Sequence, residues 1–247
     1  MKTTAYTVLY QDKYIVALNK ASGISVSQDR WDPNVPRLDN LASEELGKLY
    51  TVHRIDKDTS GVIIYARDAE THAKLCEAFE NREIHKTYHA FVYGRPQWDE
   101  LVCESKLRPD GDNLHRTVID KKHGKPSTTK FSVISSSTAG KKNCYNYSWI
   151  CAEPITGRTH QIRVQLAQEG FPIVCDALYG TSAPFYLSKI KKNWKGDAFL
   201  ERPLLSRLGL HAYKIEFIHP VTQANIEIIA PYWKDMSSLK NQFDRLF

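Results

Sequence analysis

The chain is 247 residues long, 42% of them apolar and 25% charged, enough for one large domain or two small ones around a buried core. Lysine and arginine number 34 against 28 acidic residues, a formal net charge of +6 that suits a polyanionic partner without requiring one. No run approaches the ~20 apolar residues of a membrane span, and no apolar stretch follows a basic start, so a soluble, cytoplasmic protein without a signal peptide is expected.

Two short apolar runs at 6–10 and 14–18 flank Gln11-Asp12-Lys13 and predict an opening hairpin. Glycine, serine and two prolines make 20–37 a loop. Leu38, Leu41, Glu45 and Leu49 mark one face of a helix. The continuous run Val62-Ile63-Ile64-Tyr65-Ala66 reads as a buried strand. Asp68 is placed to cap a second helix, with Leu75, Ala78 and Phe79 on its apolar side. Alternation predicts a strand over 88–93, with further strands at 127–134, 144–152, 210–218 and 225–230. A helix over 159–169 ends at Gly170. A terminal helix over 235–246 takes Asp235 as its cap. Residues 181–203, rich in lysine and aromatic side chains, read as an insertion or a lid. Strands outnumber helices and are not spaced as βαβ units. The expected fold class is therefore α+β, a mixed, largely antiparallel sheet core with flanking helices in one domain over 1–247.

The five cysteines, Cys76, Cys103, Cys144, Cys151 and Cys175, form no Cys-x-x-Cys pair. Their odd number speaks against a disulfide framework, and their spacing against a zinc site. Basic residues cluster in Lys121-Lys122-His123-Gly124-Lys125 and Lys189-Ile190-Lys191-Lys192-Asn193-Trp194-Lys195. Two readings stand: solvated loops, or an RNA-facing surface.

Two strings carry the chemistry. His53-Arg54-Ile55-Asp56-Lys57-Asp58-Thr59-Ser60-Gly61 sets Asp56 at the mouth of a polar turn, just before the buried strand. Glu153-Pro154-Ile155-Thr156-Gly157-Arg158-Thr159-His160-Gln161-Ile162-Arg163 follows about a hundred residues later. Alone, the first string is equally a plain connecting turn. Together the two resemble the signature segments of the RluA-type RNA pseudouridine synthases, close to HRLD-x-x-TSG and P-x-TGR-THQIR, over about residues 8 to 231. The resemblance implies the pseudouridine synthase catalytic fold without an N-terminal S4-type RNA-binding domain. It also implies isomerisation of specific uridines in tRNA or large-subunit rRNA.

That reaction breaks the uridine N1–C1′ bond, turns the base and joins C5 to C1′. Redox state is unchanged and no group is lost, so neither a cofactor nor a metal is expected. The resemblance makes Asp56 the essential nucleophilic carboxylate, whether at C1′, at another atom or in forming a glycal. It sets Arg163 against Asp56 and puts Tyr88, in Lys86-Thr87-Tyr88, beside the base to stack and to relay or accept the C5 proton. Arg54 is expected to fill the gap left by a flipped base. With Lys86, Arg158 and His160 it is expected to line the RNA cleft. Lys20, in Asn19-Lys20-Ala21-Ser22-Gly23, is structural or phosphate-facing, and His211 a packed structural residue. Departures from the family strings are Ala21 for proline, Gln165 and Phe171 for histidine, and Cys175 for glycine. A structured RNA is the expected partner and a monomer the default.

Other readings are weaker on the residues. A kinase needs a Gly-rich loop, a V-A-I-K strand and a D-F-G segment, none of which occurs. A glycosidase needs a second carboxylate near Asp56, and Asp58 offers proximity in sequence only. A non-catalytic RNA-binding or ribosome-assembly factor on the same scaffold is the alternative. The presence of Asp56, Arg163 and Tyr88 favours the enzyme.

Overall fold

A computed structural model describes residues 4–28, 35–137, 146–191 and 193–247. In chain order the elements are β1 (Tyr6–Gln11), β2 (Ile15–Lys20), α1 (Leu38–Leu46), β3 (Tyr50–Thr51), β4 (Ser60–Ala66), α2 (Ala69–Glu80), β5 (His85–Tyr93), β6 (Glu100–Arg108), β7 (Val118–Ile119), β8 (Lys125–Ser136), β9 (Tyr147–Pro154), α3 (Gln161–Gln168), β10 (Leu210–Ile218), β11 (Asn225–Ile229) and α4 (Lys234–Leu246). Mixed strand pairing with few helices makes the fold α+β, as the sequence predicts. The chain divides into two compact units: Met1–Tyr88 with His211–Pro231, and His89–Leu210 with Tyr232–Phe247. Among the described residues no helix is long and apolar enough to cross a membrane.

In the first unit the predicted hairpin is present. Asp12 makes its turn, its Oδ1 accepting the amides of Tyr14 and Ile15 at 2.7 and 2.8 Å. β2 runs antiparallel to β4, from Ile15 opposite Ala66 to Lys20 opposite Gly61. β10 lies parallel to β4, with His211 opposite Ser60 and Ala212 opposite Gly61. β11 returns antiparallel on β10, and β3 pairs with the far end of β4. Every residue of β2 and β4 is buried, so their apolar stretches, 15–18 and 62–66, run continuously instead of alternating. Leu38 and Ala42 of α1 and Leu75 of α2 join Ile15, Leu18, Ile63 and Tyr65 in one core. Asp68 caps α2 as predicted. Its Oδ1 accepts the Thr71 amide at 2.8 Å and its Oδ2 the Thr71 hydroxyl at 2.8 Å, a cap worth ~1 kcal/mol.

In the second unit the strand order is β5-β9-β8-β6-β7. Its core is aromatic. Phe91 meets Tyr147, Trp149, Phe185 and Phe243 at ring separations of 5.6, 5.2, 5.2 and 5.4 Å. α4 closes this core with Met236, Leu239 and Phe243. The expectation that Asp235 caps α4 is corrected. Trp233 occupies the cap position without a side-chain bond. The Asp235 carboxylate instead takes Arg207 Nε and Nη2 at 2.7 and 2.8 Å.

Other boundaries differ from expectation. β5 starts at His85, before residue 88, and β6 appears where no strand was predicted. The strand expected at 144–152 occupies Tyr147–Pro154; residues 144 and 145 lie outside the described residues, as do Lys192 of the second basic run and 29–34 of the early loop. α3 begins at Gln161, not Thr159, because His160 takes a left-handed conformation with φ 53°. Within 181–203, Phe185 and Ile190 are buried in the second unit's core, a short 3-10 turn spans Leu187–Lys189, and Phe185 bridges to Leu205.

Candidate active site

Asp56 lies on the loop joining β3 to β4 in the first unit. Three interactions shape its turn. The Asp56 carbonyl accepts the Thr59 amide at 3.1 Å, Ile55 is buried in the core beneath it, and Ser22 donates its hydroxyl to the Asp58 carbonyl at 2.6 Å. The fourth support is Lys20. Its fully buried ammonium donates to the carbonyls of Ala21, Ile24 and Lys57 at 2.9, 2.8 and 2.8 Å. Lys20 therefore ties 21–24 to the Asp56 turn, and of its two readings the structure selects the structural one. Arg54, Lys57 and Asp58 point into solvent, while the Asp56 side chain is half-buried.

The glycine of the first string has a packing reason. Gly61 adopts φ 116°, and a Cβ there would meet the Ala212 carbonyl oxygen at 2.2 Å. Only glycine lets β10 approach β4 this closely. Beside it the Ser60 hydroxyl meets His211 Nδ1 at 2.8 Å, while His211 Nε2 lies 3.0 Å from the Ala230 carbonyl. A carbonyl only accepts, so Nε2 carries the proton and Nδ1 accepts from Ser60. Fully buried and doubly bonded, His211 is the packed structural residue the sequence predicts.

Tyr88 and Lys86 lie two apart on β5 and so share one face. Burial, and then the negative charge of Asp56, raise the Tyr88 phenol well above its usual range. Two of the three predicted catalytic residues are thus electrostatically coupled within one unit. Lys86 is packed, not free in solvent: its ammonium lies 5.9 Å from the Phe79 ring, and burial lowers its pKa. Phe79 in turn stacks on His53 at 4.6 Å. The His53 Nε2 accepts the Ile64 amide at 3.0 Å, and burial, with Lys86 nearby, lowers its pKa to about 3. The first histidine of the string is therefore a neutral bracket for β4.

The second string builds a polar ladder in the second unit. Gln161 accepts the Thr156 hydroxyl at 2.7 Å and the Arg158 amide at 3.0 Å, and donates to the Thr128 carbonyl and Thr129 hydroxyl at 3.0 and 2.8 Å. Gln165 extends the ladder, accepting from Thr129 at 2.6 Å and donating to Ser105 at 3.0 Å. The glutamine that replaces the family histidine is thus buried and bonded. Arg163 is only 4% exposed and bidentate on Asp176, Nε and Nη2 each at 2.8 Å. Burial pushes the Asp176 carboxyl up, but Arg163 and the amides of Leu178 and Tyr179 together hold it below the usual range. The Arg163 guanidinium also lies 5.3 Å from the Tyr179 ring. His160 meets the Tyr179 hydroxyl at 3.0 Å through Nδ1, and Arg158 Nε reaches the Pro126 carbonyl at 3.2 Å.

Asp176 and Tyr179 are neighbours of Arg163 that sequence reasoning did not assign. Asp176 follows Cys175, whose own backbone is left-handed at φ 59°, which explains why related strings carry glycine there. A further departure, Phe171, packs edge-on against Trp98 at 5.9 Å. The first basic run forms the exposed turn between β7 and β8, where Asp120 binds Arg108 Nε at 2.7 Å and accepts the Lys122 and His123 amides at 3.0 and 2.9 Å.

Two solved human structures share this fold. RNA Pseudouridylate Synthase Domain Containing 4 superposes with TM-score 0.70 at 23% identity, covering 96% of this chain and 92% of that one. RNA Pseudouridylate Synthase Domain Containing 1 gives 0.69 at 22%, covering 94% and 86%. Sequence relatives are nearer. Ribosomal large subunit pseudouridine synthase C of Buchnera aphidicola subsp. Baizongia pistaciae is 37% identical over 230 residues, 91% of this chain and 66% of that protein. The same-named protein of Haemophilus ducreyi is 36% identical over 91% of this chain and 65% of its own length. Dual-specificity RNA pseudouridine synthase RluA of Vibrio vulnificus is 31% identical over 86% and 78%. The family described as RNA pseudouridylate synthase matches residues 14–168, a span that holds Asp56, Tyr88 and Arg163. The chain belongs to the RluA-type RNA pseudouridylate synthase family. It spans just under two thirds of the length of the two synthase C relatives.

Proposed function

We propose that the protein isomerises a specific uridine to pseudouridine in structured RNA, tRNA or large-subunit rRNA, as a cytoplasmic monomer whose two units serve one catalytic domain. Asp56 is the nucleophilic carboxylate. The observation that carries this reading is the Asp56–Tyr88 coupling, on a turn that the buried Lys20 ammonium holds through the Lys57 carbonyl. Such a turn can aim a carboxylate without a large ordering cost when substrate arrives.

The chemistry balances without an outside reactant. The N1–C1′ bond breaks, the uracil turns, C5 bonds to C1′, C5 loses a proton and N1 gains one. Because its pKa is raised, the resting Tyr88 phenol keeps its own proton at neutral pH. It can take the C5 proton only by passing its own onward, which favours the relay over simple acceptance. Arg163 is proposed to orient Asp56, with its own geometry fixed by Asp176. Arg54, Lys86, Arg158 and His160 are proposed to line the RNA path.

Total RNA carrying tritium at uracil C5 tests the reading. Purified wild-type protein should release tritium to water, while Asp56→Asn should release none yet still bind RNA. Equal release by the two proteins would remove Asp56 from the chemistry.

A further inference from the structure

Residues 180–205 leave directly from the turn that holds Arg163: the Asp176 carbonyl accepts the Gly180 amide at 3.0 Å, and Cys175 Sγ lies 3.3 Å from the Ala183 carbonyl. The segment is tied at its base. Phe185 and Leu205 bond backbone to backbone at 2.7 Å, and Phe185, Ile190 and Leu205 are buried in the second unit's core. The interior is pinned by Glu201, which accepts the Ser188 amide at 2.8 Å. Its far end presents an aromatic ring to water. Phe199 is 99% exposed and Leu200 78%, and the Asp197 carboxylate, accepting the Phe199 amide at 2.8 Å, fixes the turn that displays them.

Along the same segment Asp197 and Glu201 are engaged by backbone amides, while Lys189, Lys191, Lys195 and Arg202 are exposed. This segment thus carries both a bare aromatic face and exposed cations. It is the combination that stacks an unpaired base and contacts its flanking phosphates. We infer that residues 186–191 and 193–204 form an RNA-contact surface in which Phe199 stacks on an unpaired base of the substrate, with Lys191, Lys195 and Arg202 taking adjacent phosphates. The inference rests on the proposed RNA substrate and adds to it a single-stranded segment beyond the reacting uridine.

The test uses the full chain and two fluorescein-labelled probes, a hairpin RNA with an oligouridine loop and a blunt duplex of the same stem. Phe199→Ala should weaken hairpin binding about 10-fold, the range expected for loss of one stacked base, and leave duplex binding unchanged. Phe199→Trp should restore it. A Lys191→Ala/Lys195→Ala variant should weaken both and flatten the salt dependence. If wild type binds neither probe, the RNA reading itself fails. If wild type binds the hairpin and Phe199→Ala binds it equally, the loop assignment alone is overturned. It is overturned also if Phe199→Ala changes only the sedimentation of a self-associated wild type, since a second copy of the chain would then cover the ring.

Discussion

Replacing Gly61 by alanine should disable the fold and the site together. The added Cβ would lie 2.2 Å from the Ala212 carbonyl oxygen and 2.6 Å from its nitrogen, both backbone atoms that no rotamer change can move aside. β10 must retreat by about 1.3 Å or more to reach ordinary contact at ~3.5 Å. Retreat breaks the buried Ser60–His211 hydrogen bond, now 2.8 Å, at a cost of ~1–3 kcal/mol. Holding alanine at φ 116° adds ~1–3 kcal/mol of backbone strain. The sum is ~4 kcal/mol, and with a urea slope of ~1–3 kcal/mol/M the unfolding midpoint should fall by more than ~1 M. The Asp56 turn feeds straight into this strand, so turnover should fall even where the variant remains folded. Urea unfolding followed by circular dichroism, with turnover measured in the absence of denaturant, reads both effects. A midpoint within ~0.3 M of wild type, with full activity, would refute the close-approach argument.

Three further outcomes are expected. Asp176→Ala removes the bidentate partner of the buried Arg163 and should cost ~3–5 kcal/mol by thermal or urea unfolding, while Arg163→Met combined with Asp176→Leu recovers much of that loss; a single variant as stable as wild type would contradict the pairing. Lys20→Met withdraws the ammonium from three carbonyls, so stability should drop by at least ~2 kcal/mol and kcat should fall more than KM; a change confined to KM would point to a phosphate-facing role instead. Burial, with Lys86 nearby, lowers His53 to about 3, and burial, with Lys240 nearby, lowers His89 to about 4. Both folded values lie below the usual ~6.5, so the unfolded chain takes up these protons first, and stability is full above about pH 6.5 and is lost progressively as pH falls toward 4 and then 3. Unfolding midpoints across this window should decline on acidification before the carboxylates titrate, and a flat profile between about pH 6 and 4.5 would contradict the neutral, buried state of both rings.

What could be read in advance follows from where each signal is stored. β4 was legible because a strand buried on both faces is a continuous apolar run, and α2 because Asp68 meets its partner Thr71 three residues away. β6 was not. Its inward side carries Ser105 beside Leu101, Cys103 and Leu107, and its outward side carries Val102, which blurs the period-two pattern. The misassigned Asp235 cap failed for a different reason: its partner Arg207 is 28 residues distant in sequence. The site shows the same division. The resemblance nominates Asp56, Tyr88 and Arg163, but says nothing of Asp176 gripping Arg163 or of Lys20 clamping the Asp56 turn through carbonyls. Backbone acceptors leave no trace in residue identity, so only the folded chain displays them.

Pseudouridine mapping in total RNA from a strain lacking this gene, compared with the same strain carrying wild type or Asp56→Asn, tests the proposed activity most directly. That activity predicts that at least one modified site disappears on deletion and returns only with wild type. Survival of every site in the deletion, or restoration by Asp56→Asn, would contradict it.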